Sequence, residues 1–265
     1  MASEERSFIG WIEKILGAYG PSLLQGAGVT LLIAFVGTVV GCLIGFVIGV
    51  VQTIPIEKRD NPVKRVAIRL VRIILHVYVE VFRGTPMMVQ AMFIYYGAIM
   101  VFGIHMSKLF AGIFIVSINT GAYMAETVRG GILSIDPGQT EGAKAIGMTH
   151  FMTMTNVIMP QALRNIMPQI GNNLIINIKD TCVLSVISVV ELMFSSRSIA
   201  GAYLVYFPVY TITMVMYLAM TLVFSRLLRI VEKKMDGKRG YDLATHDTLT
   251  HTSGMYSYTG EGGKR

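Results

Sequence analysis

Long stretches without a charged residue constrain the fold of this chain more than any other feature. Residues 17–56, 84–104 and 198–225 contain no Asp, Glu, Lys or Arg. A predominantly apolar run of about 18 or more residues can cross a bilayer as a helix. Only 15% of the 265 residues are charged, whereas soluble domains carry roughly 25%, and the mean hydropathy is +0.57. The sequence therefore predicts an all-α integral membrane protein.

Five membrane-spanning helices are expected, over residues 22–51, 86–102, 109–131, 166–194 and 203–230. An odd number of spans places the two termini on opposite sides of the membrane. Clusters of Lys and Arg follow the first span, at 58–72, and the last span, at 226–239. Because cytoplasmic loops are enriched in Lys and Arg, we expect the N-terminus outside and the C-terminus in the cytoplasm. These clusters explain the net charge of +7, so no nucleic acid partner is expected.

The chain is expected to form one membrane domain with two short flanking segments. Residues 1–20 form an N-terminal extracytoplasmic segment, residues 21–231 the transmembrane domain, and residues 232–265 a polar cytoplasmic tail. The start of the chain lacks the pattern of a cleavable signal peptide, so the first span is expected to direct insertion. The tail is rich in Gly, Ser and Thr, and we assign it no function.

Glycines recur at every fourth position of the first span, at Gly37, Gly41, Gly45 and Gly49. Residues four apart lie on nearly the same face of a helix, and a row of small residues lets another helix approach closely. The pattern predicts a packing face. It could meet a partner subunit or another helix of the same chain.

A helix break is expected between the polar segment that follows the first loop and the second span. Polar residues recur there at steps of three or four, at Arg65, Arg69, Arg72, His76, Glu80 and Arg83. This spacing is typical of one polar stripe along a helix. Proline has no amide proton and glycine is conformationally permissive. We therefore expect the helix to break at Arg83, Gly84, Thr85 and Pro86.

Several polar residues fall inside the predicted spans. A charged side chain at the membrane centre costs roughly 2.5–3.5 kcal/mol, so such residues face a protein interior or a water-filled cavity. The third span carries Asn119, Tyr123 and Glu126 on one face, and the fourth carries Asn173, Asn177, Asp180, Ser188 and Glu191 on another, with Lys179 on a neighbouring stripe. Two interpretations stay open. The stripes form a translocation path, or they form buried ion pairs, such as Glu126 with Lys179, that set the helix register.

The long segment between the third and fourth spans has a defined internal pattern. Residues 137 and 138 are Pro-Gly, and residues 139–150 predict a short helix ahead of a break at Pro160. Glu141, Gly142 and Ala143 are followed by three residues and Gly147, and nine residues further on by Val157, Ile158, Met159 and Pro160. The pattern resembles the EAA loop of bacterial ATP-binding-cassette (ABC) import permeases, in which Glu-Ala-Ala, Gly and Ile-x-Leu-Pro have the same spacing. Gly142, Val157 and Met159 depart from it, and glycine in place of alanine lowers helix propensity by about 1 kcal/mol.

Other motifs extend the resemblance to roughly residues 20–230. Residues 80–86 (EVFRGTP) with Gln90, residues 126–132 (ETVRGGI) leading into 137–139 (PGQ), residues 179–181 (KDT) and residues 191–192 (EL) are similar to the polar amino acid branch of these permeases. Four motifs in the same order make a chance match improbable.

The resemblance implies a type I ABC importer permease-like fold, a function in amino acid import and a set of partners. A cytoplasmic coupling helix would dock onto an ABC ATPase subunit, of which two copies are expected, through Gln139, Glu141, Gly142, Ala143, Gly147 and Pro160. Gly147 would permit a close backbone approach. A second permease subunit, identical or homologous, would face this one across the path, and an extracytoplasmic amino-acid-binding protein would deliver the substrate. No cofactor is expected on this chain, because ATP and Mg would bind the ATPase.

The residues alone do not predict an enzyme. The chain lacks the Gly-x-x-x-x-Gly-Lys-Ser/Thr spacing of a phosphate-binding loop, and no catalytic constellation or metal-ligand cluster is evident. An alternative hypothesis is a stand-alone, ion-coupled secondary transporter or channel. In it Glu126, Lys179 and Asp180 would form an ion relay.

Overall fold

A computed structural model describes residues 7–55 and 61–235, and within them the chain is built from helices. The long helices are α1 (Phe8–Thr53), α2 (Pro62–Gly84), α3 (Met87–Phe102), α4 (Lys108–Leu133), α7 (Met159–Asp180) and α9 (Tyr206–Met235). The shorter ones are α5 (Pro137–Ala145), α6 (His150–Thr153), a π-helical turn (Met154–Ile158), a 3₁₀-helix (Thr181–Ile187) and α8 (Leu192–Tyr203). Three single helices are long and apolar enough to cross a membrane, or up to five spans if each of two bent pairs counts as one. The all-α membrane fold is confirmed.

Helix α1 is much longer than its predicted span. Its 46 residues extend about 70 Å at 1.5 Å per residue, more than twice the roughly 30 Å of a hydrocarbon core. The first third of the helix is held by tertiary contacts. Ile15 and Leu23 are buried in a cluster with Leu192, Ile199 and Val209 from α8 and α9. Much of the segment expected to precede the first span therefore belongs to the same helix and packs on the bundle.

The glycine face of α1 packs against α4 of the same chain. A Cβ placed on Gly37, Gly41, Gly45 or Gly49 would lie 2.4–2.9 Å from the nearest side-chain atoms of Val116, Thr120, Met124 and Val128. Each glycine meets the residue 79 positions further along the chain, so the two helices run parallel and keep one register over three turns. The glycine face therefore packs against another helix of the same chain.

The predicted break after the polar stripe is confirmed. Helix α2 ends at Gly84, Thr85 is extended at φ −120° and ψ 147°, and Pro86 precedes the first residue of α3. The two helices are bent by 115° relative to each other. Local chemistry explains the position, because a proline disfavours helical conformation in the residue before it.

The region predicted as the fourth span is not a single helix. Helix α7 ends at Asp180, the 3₁₀-helix follows, and Ser188 adopts the left-handed conformation at φ 59°. The chain resumes as α8 with a bend of 53°. Glu191 stabilises the restart, because its carboxylate accepts hydrogen bonds from the amides of Met193 (2.8 Å) and Phe194 (2.7 Å) as the N-cap of α8. The predicted polar stripe therefore does not continue from Asp180 to Ser188 and Glu191.

The loop between α4 and α7 also differs in detail from the prediction. Helix α5 begins at Pro137 and ends at Ala145, so it does not reach His150. Gly147 terminates it with φ 84°, a conformation that costs other L-residues about 1–2 kcal/mol. Pro160 is not a break. It lies in the first turn of α7, which continues directly from the π-helical turn, so the chain stays helical through a proline that has no amide proton to donate to the preceding turn.

Candidate functional site

Polar side chains from α4 and α7 meet the α2–α3 break in one cleft. The cleft has a volume of about 360 Å³, and its lining includes Thr85, Pro86, Asn119, Tyr123, Asn173, Asn177 and Asp180. Five residues of the two predicted stripes therefore lie on the same cavity as two residues of the predicted break. The sequence pattern identified both helix faces, and the structure shows that the two faces line the same cleft.

Gln90 of α3 ties the helix break to the cleft. Its side-chain amide donates to the carbonyl oxygens of Phe82 (2.9 Å) and Thr85 (2.8 Å), and its oxygen accepts from the amide of Asn119 at 2.9 Å. The side chain is 6% exposed. Backbone carbonyls freed by the break thus keep partners where water is scarce, as buried polar groups require. We did not predict a role for Gln90, although it stands beside the 80–86 motif.

Asn177 connects three helices at the floor of the cleft. Its side-chain amide donates to the hydroxyl oxygens of Thr38 on α1 (2.7 Å) and Thr120 on α4 (2.9 Å). One turn earlier, the amide of Asn173 donates to the sulfur of Met124 at 3.2 Å. Both asparagines are buried. The two threonines were missed from the sequence, because an isolated threonine in an apolar span carries no signal of its own.

The acid of the third span pairs with arginines. Glu126 accepts a hydrogen bond from Nε of Arg129 at 3.2 Å and contacts a second nitrogen of the same guanidinium, while Arg83 lies 4.0 Å away. Arg83 also stands 5.7 Å from the ring centre of Tyr123. The pair of Glu126 with Lys179, given as an example for the ion-pair interpretation, does not form. Lys179 is exposed on α7 and makes no ion pair among the described residues.

Glu191, predicted as a path residue, lies inside the subunit and outside the cleft. Its side chain has no exposed surface. Besides the two backbone amides of α8, it accepts from the hydroxyls of Tyr217 (3.0 Å) and Thr30 (3.4 Å). The positive end of the α8 dipole also favours a carboxylate there. Within this chain Glu191 joins α1, α8 and α9.

The loop residues predicted to couple to an ATPase lie on and after α5. Gln139, Glu141 and Gly142 are exposed, Ala143 is 6% exposed, and Gly147 and Pro160 are exposed. Nothing approaches within 4 Å of a Cβ built on Gly142 or on Gly147. The need for glycine at 147 is therefore conformational within this chain. Two large apolar side chains beside α5 also face outward, Ile146 at 79% and Phe151 at 75% exposed.

No cluster of three or more His, Cys, Asp or Glu that could hold a metal occurs in the part of the chain that the structure describes. The polar groups that line the cleft are amides, hydroxyls and one carboxylate. Amides and hydroxyls both donate and accept hydrogen bonds, so the arrangement can bind a small polar molecule.

Comparison with known proteins places the chain in a family. Residues 65–237 match the family of binding-protein-dependent transport system inner membrane components. The chain is 36% identical over 216 residues to the glutamine transport system permease protein GlnP of Escherichia coli K12, covering 81% of this chain and 93% of that protein. It is 32% identical over 214 residues to the putative glutamine transport system permease protein GlnP of Rickettsia typhi, with 80% and 92% covered.

Solved structures agree with this match. An amino acid ABC transporter determined with histidines superposes with a TM-score of 0.73 at 35% identity, covering 88% of this chain and 100% of that one. The MetNI methionine ABC transporter in an inward-facing conformation gives a TM-score of 0.59 at 20% identity, over 79% and 95% of the two chains. The second comparison supports the fold alone.

Proposed function

The chain belongs to the family of binding-protein-dependent transport system inner membrane components, the multi-pass permeases of ABC importers, and on this premise we propose that it carries a polar amino acid, with glutamine as the first candidate. The relatives named as glutamine permeases support this substrate. A stand-alone secondary transporter is not favoured, because proteins of this family work with a binding protein and an ATPase.

The observation that carries the substrate proposal is the amide-rich cleft. Asn119, Asn173 and Asn177 line it beside Tyr123, and Asp180 is its only acidic group. Side-chain amides donate and accept hydrogen bonds, which suits an uncharged polar side chain such as a carboxamide. A carboxylate suits the ammonium group that every amino acid carries. The cleft is then part of the translocation path.

The coupling to ATP hydrolysis is assigned to the exposed loop at α5. Glu141 and Gln139 face outward there, and Gly147 fixes the turn that follows. Two ATPase chains would bind this side of a pair of permease subunits, and they would hold ATP and Mg. Because the ATPase chains are cytoplasmic, this arrangement requires α5 and the C-terminus to lie in the cytoplasm and the N-terminus to lie outside. ATP binding would then shift the pair toward an outward-facing state, because the closed ATPase dimer fits that state better.

The loop assignment is tested by Glu141→Lys. The permease is co-expressed with its ATPase and purified from membranes in mild detergent, and the ATPase that stays bound is quantified. We expect wild type to retain the ATPase and Glu141→Lys to lose most of it. The control is Glu80→Lys, because the side chain of Glu80 is 67% exposed on α2, away from α5. Retention of the ATPase by Glu141→Lys at the level of the control would show that α5 does not carry the contact.

The substrate assignment is tested by uptake of radiolabelled L-glutamine into proteoliposomes that contain the complex and its binding protein. Uptake should require ATP inside the vesicles and persist when ionophores collapse ion gradients. Uptake that stops with the gradient and ignores ATP would favour the secondary transporter. A competition series of unlabelled amino acids then ranks glutamine against other polar side chains.

A further inference from the structure

A second cavity contains the only charged side chain of a long apolar stretch. The cavity has a volume of about 570 Å³, and its lining includes Met88, Ser185, Ser188, Phe194, Arg197 and Ser198. It shares none of its lining residues with the cleft. Between Glu191 and Arg226, Arg197 is the only Asp, Glu, Lys or Arg in the sequence.

Arg197 has no acidic partner among residues 7–55 and 61–235, the ranges that the structure describes. Its side chain is absent from the ion pairs of the described residues, and it donates one hydrogen bond, to the hydroxyl of Ser185 at 3.4 Å. An arginine inside a membrane-spanning segment costs free energy unless it faces water or an anion. Ser185, Ser188 and Ser198 line the same cavity as Arg197, so hydroxyl groups from three serines share the space with its charge. Its unpaired cation favours an anionic ligand.

The cavity adjoins the cleft on the side away from α5. Along α7 and the 3₁₀-helix that follows it, Ile166 lies against Gly131, Asn177 against Thr120, and Leu184 against Gly112, so each step leads further from the end of α4 that precedes α5. Ser185 follows directly. The neighbouring residues Met87 and Met88 line the cleft and the cavity respectively. The two spaces are therefore consecutive along the bundle, Arg197 in one and Asp180 in the other.

We infer that this cavity is an anion subsite in which Arg197 binds the α-carboxylate of the transported amino acid before the molecule enters the cleft. The inference rests on the proposed function. A guanidinium binds a carboxylate through two parallel hydrogen bonds, and the serine hydroxyls can complete the shell. The topology proposed above puts the cavity on the side from which the binding protein delivers substrate. A zwitterion would meet the cation first and the acidic group of the cleft second.

The test uses the whole permease–ATPase complex in lipid nanodiscs without binding protein, and L-glutamine as the probe. Binding is measured by equilibrium dialysis with radiolabelled L-glutamine, and L-glutaminamide, which lacks the α-carboxylate, serves as competitor. Variants are Arg197→Gln, which removes the charge, and Arg197→Lys, which keeps it. Lys108→Gln is the matched control, because this exposed lysine begins α4 at the same end of the bundle but does not line the cavity.

We expect the Kd for L-glutamine to rise about tenfold or more in Arg197→Gln, since charge-assisted hydrogen bonds are strong ones, less in Arg197→Lys, and not at all in Lys108→Gln. Wild type should prefer L-glutamine to the amide, and Arg197→Gln should lose most of that preference. A preference retained in full by Arg197→Gln would overturn the subsite. The subsite would also be overturned if Arg197→Gln left L-glutamine binding unchanged and altered only how thermal stability depends on the phosphate headgroup content of the nanodisc. That result would assign Arg197 to lipid binding.

Failure of the proposed function gives a different result. In that case wild type would neither bind nor transport any amino acid of a competition panel. Failure of the subsite alone leaves wild type active and the Arg197 variants unchanged in their choice between acid and amide. ATPase retention, measured as for Glu141→Lys, checks that each Arg197 variant is assembled.

Discussion

The close packing of α1 on α4 predicts that Gly45→Ala destabilises the permease. A Cβ at Gly45 would lie 2.4 Å from Cβ of Met124, 2.7 Å from the amide nitrogen of Ala125 and 2.8 Å from the carbonyl oxygen of Gly121. Ordinary contacts of a Cβ atom are 3.4–4 Å. Two of the three obstacles are backbone atoms, so a change of rotamer cannot relieve the overlap. The helices must separate locally by about 1 Å, the difference between 2.4 Å and 3.4 Å.

Overpacking of this kind costs about 1–3 kcal/mol. A second penalty arises because the amide of Asn177 bonds Thr38 on α1 at 2.7 Å and Thr120 on α4 at 2.9 Å. Separation of α1 from α4 lengthens at least one of these bonds. The expected cost therefore lies toward the upper part of the range. The matched control is Gly28→Ala on the same helix, where nothing lies within 4 Å of the added atom.

The assay is the midpoint of thermal unfolding of the purified permease. Samples are heated to a series of temperatures, and the protein that stays folded is measured by size-exclusion chromatography. We expect Gly45→Ala to lower the midpoint by several degrees, and Gly28→Ala to leave it unchanged or raise it slightly, because alanine favours helix by about 1 kcal/mol over glycine. Equal midpoints for the two variants would refute the claim that the glycines are required by the α1–α4 contact.

Three further predictions follow from single contacts. Gln90→Leu should lower the unfolding midpoint, because the carbonyls at the α2–α3 break lose their donor at a cost of about 1–3 kcal/mol each; an unchanged midpoint would mean that water replaces the side chain. Gly147→Ala should weaken ATPase retention, because its φ of 84° costs alanine about 1–2 kcal/mol, whereas Gly142→Ala, in open space, should retain the ATPase; equal losses would contradict this. Tyr217→Phe removes a 3.0 Å hydrogen bond to Glu191 and should reduce thermal stability by about 1–3 kcal/mol with the KM for uptake unchanged; a changed KM would place Glu191 on the path.

The two helix breaks show what local chemistry reveals. Gly84 and Pro86 predict the α2–α3 break from the sequence, because glycine and proline change the backbone preferences of their immediate surroundings. The break at Ser188 lies in a stretch with neither residue. The helix that restarts after it is capped by Glu191, whose carboxylate also accepts from hydroxyls of Thr30 and Tyr217, residues far away in the chain.

The charged residues show the same difference between features set by local sequence and features set by distant contacts. The spacing of polar residues identified the faces of α4 and α7 that line the cleft, because helical periodicity is a local property. It could not choose the partners of each charge. Glu126 pairs with Arg129 one turn away on α4 and with Arg83 on α2, and Lys179 remains exposed. That choice depends on the rotation of each helix about its axis and on how α2 packs against α4, and no short window of sequence contains this information.

By itself the sequence determined that the chain crosses a membrane as helices, where α2 ends, and which residues form the glycine face and the patterned loop. These features depend on hydrophobicity, periodicity and backbone preference over a few turns. Only the tertiary structure decided that the glycines meet α4, that Glu191 is buried away from the cleft and that Arg197 stands in a cavity of its own. Those outcomes depend on contacts between residues far apart in the chain, whose free energies are settled only when the helices pack.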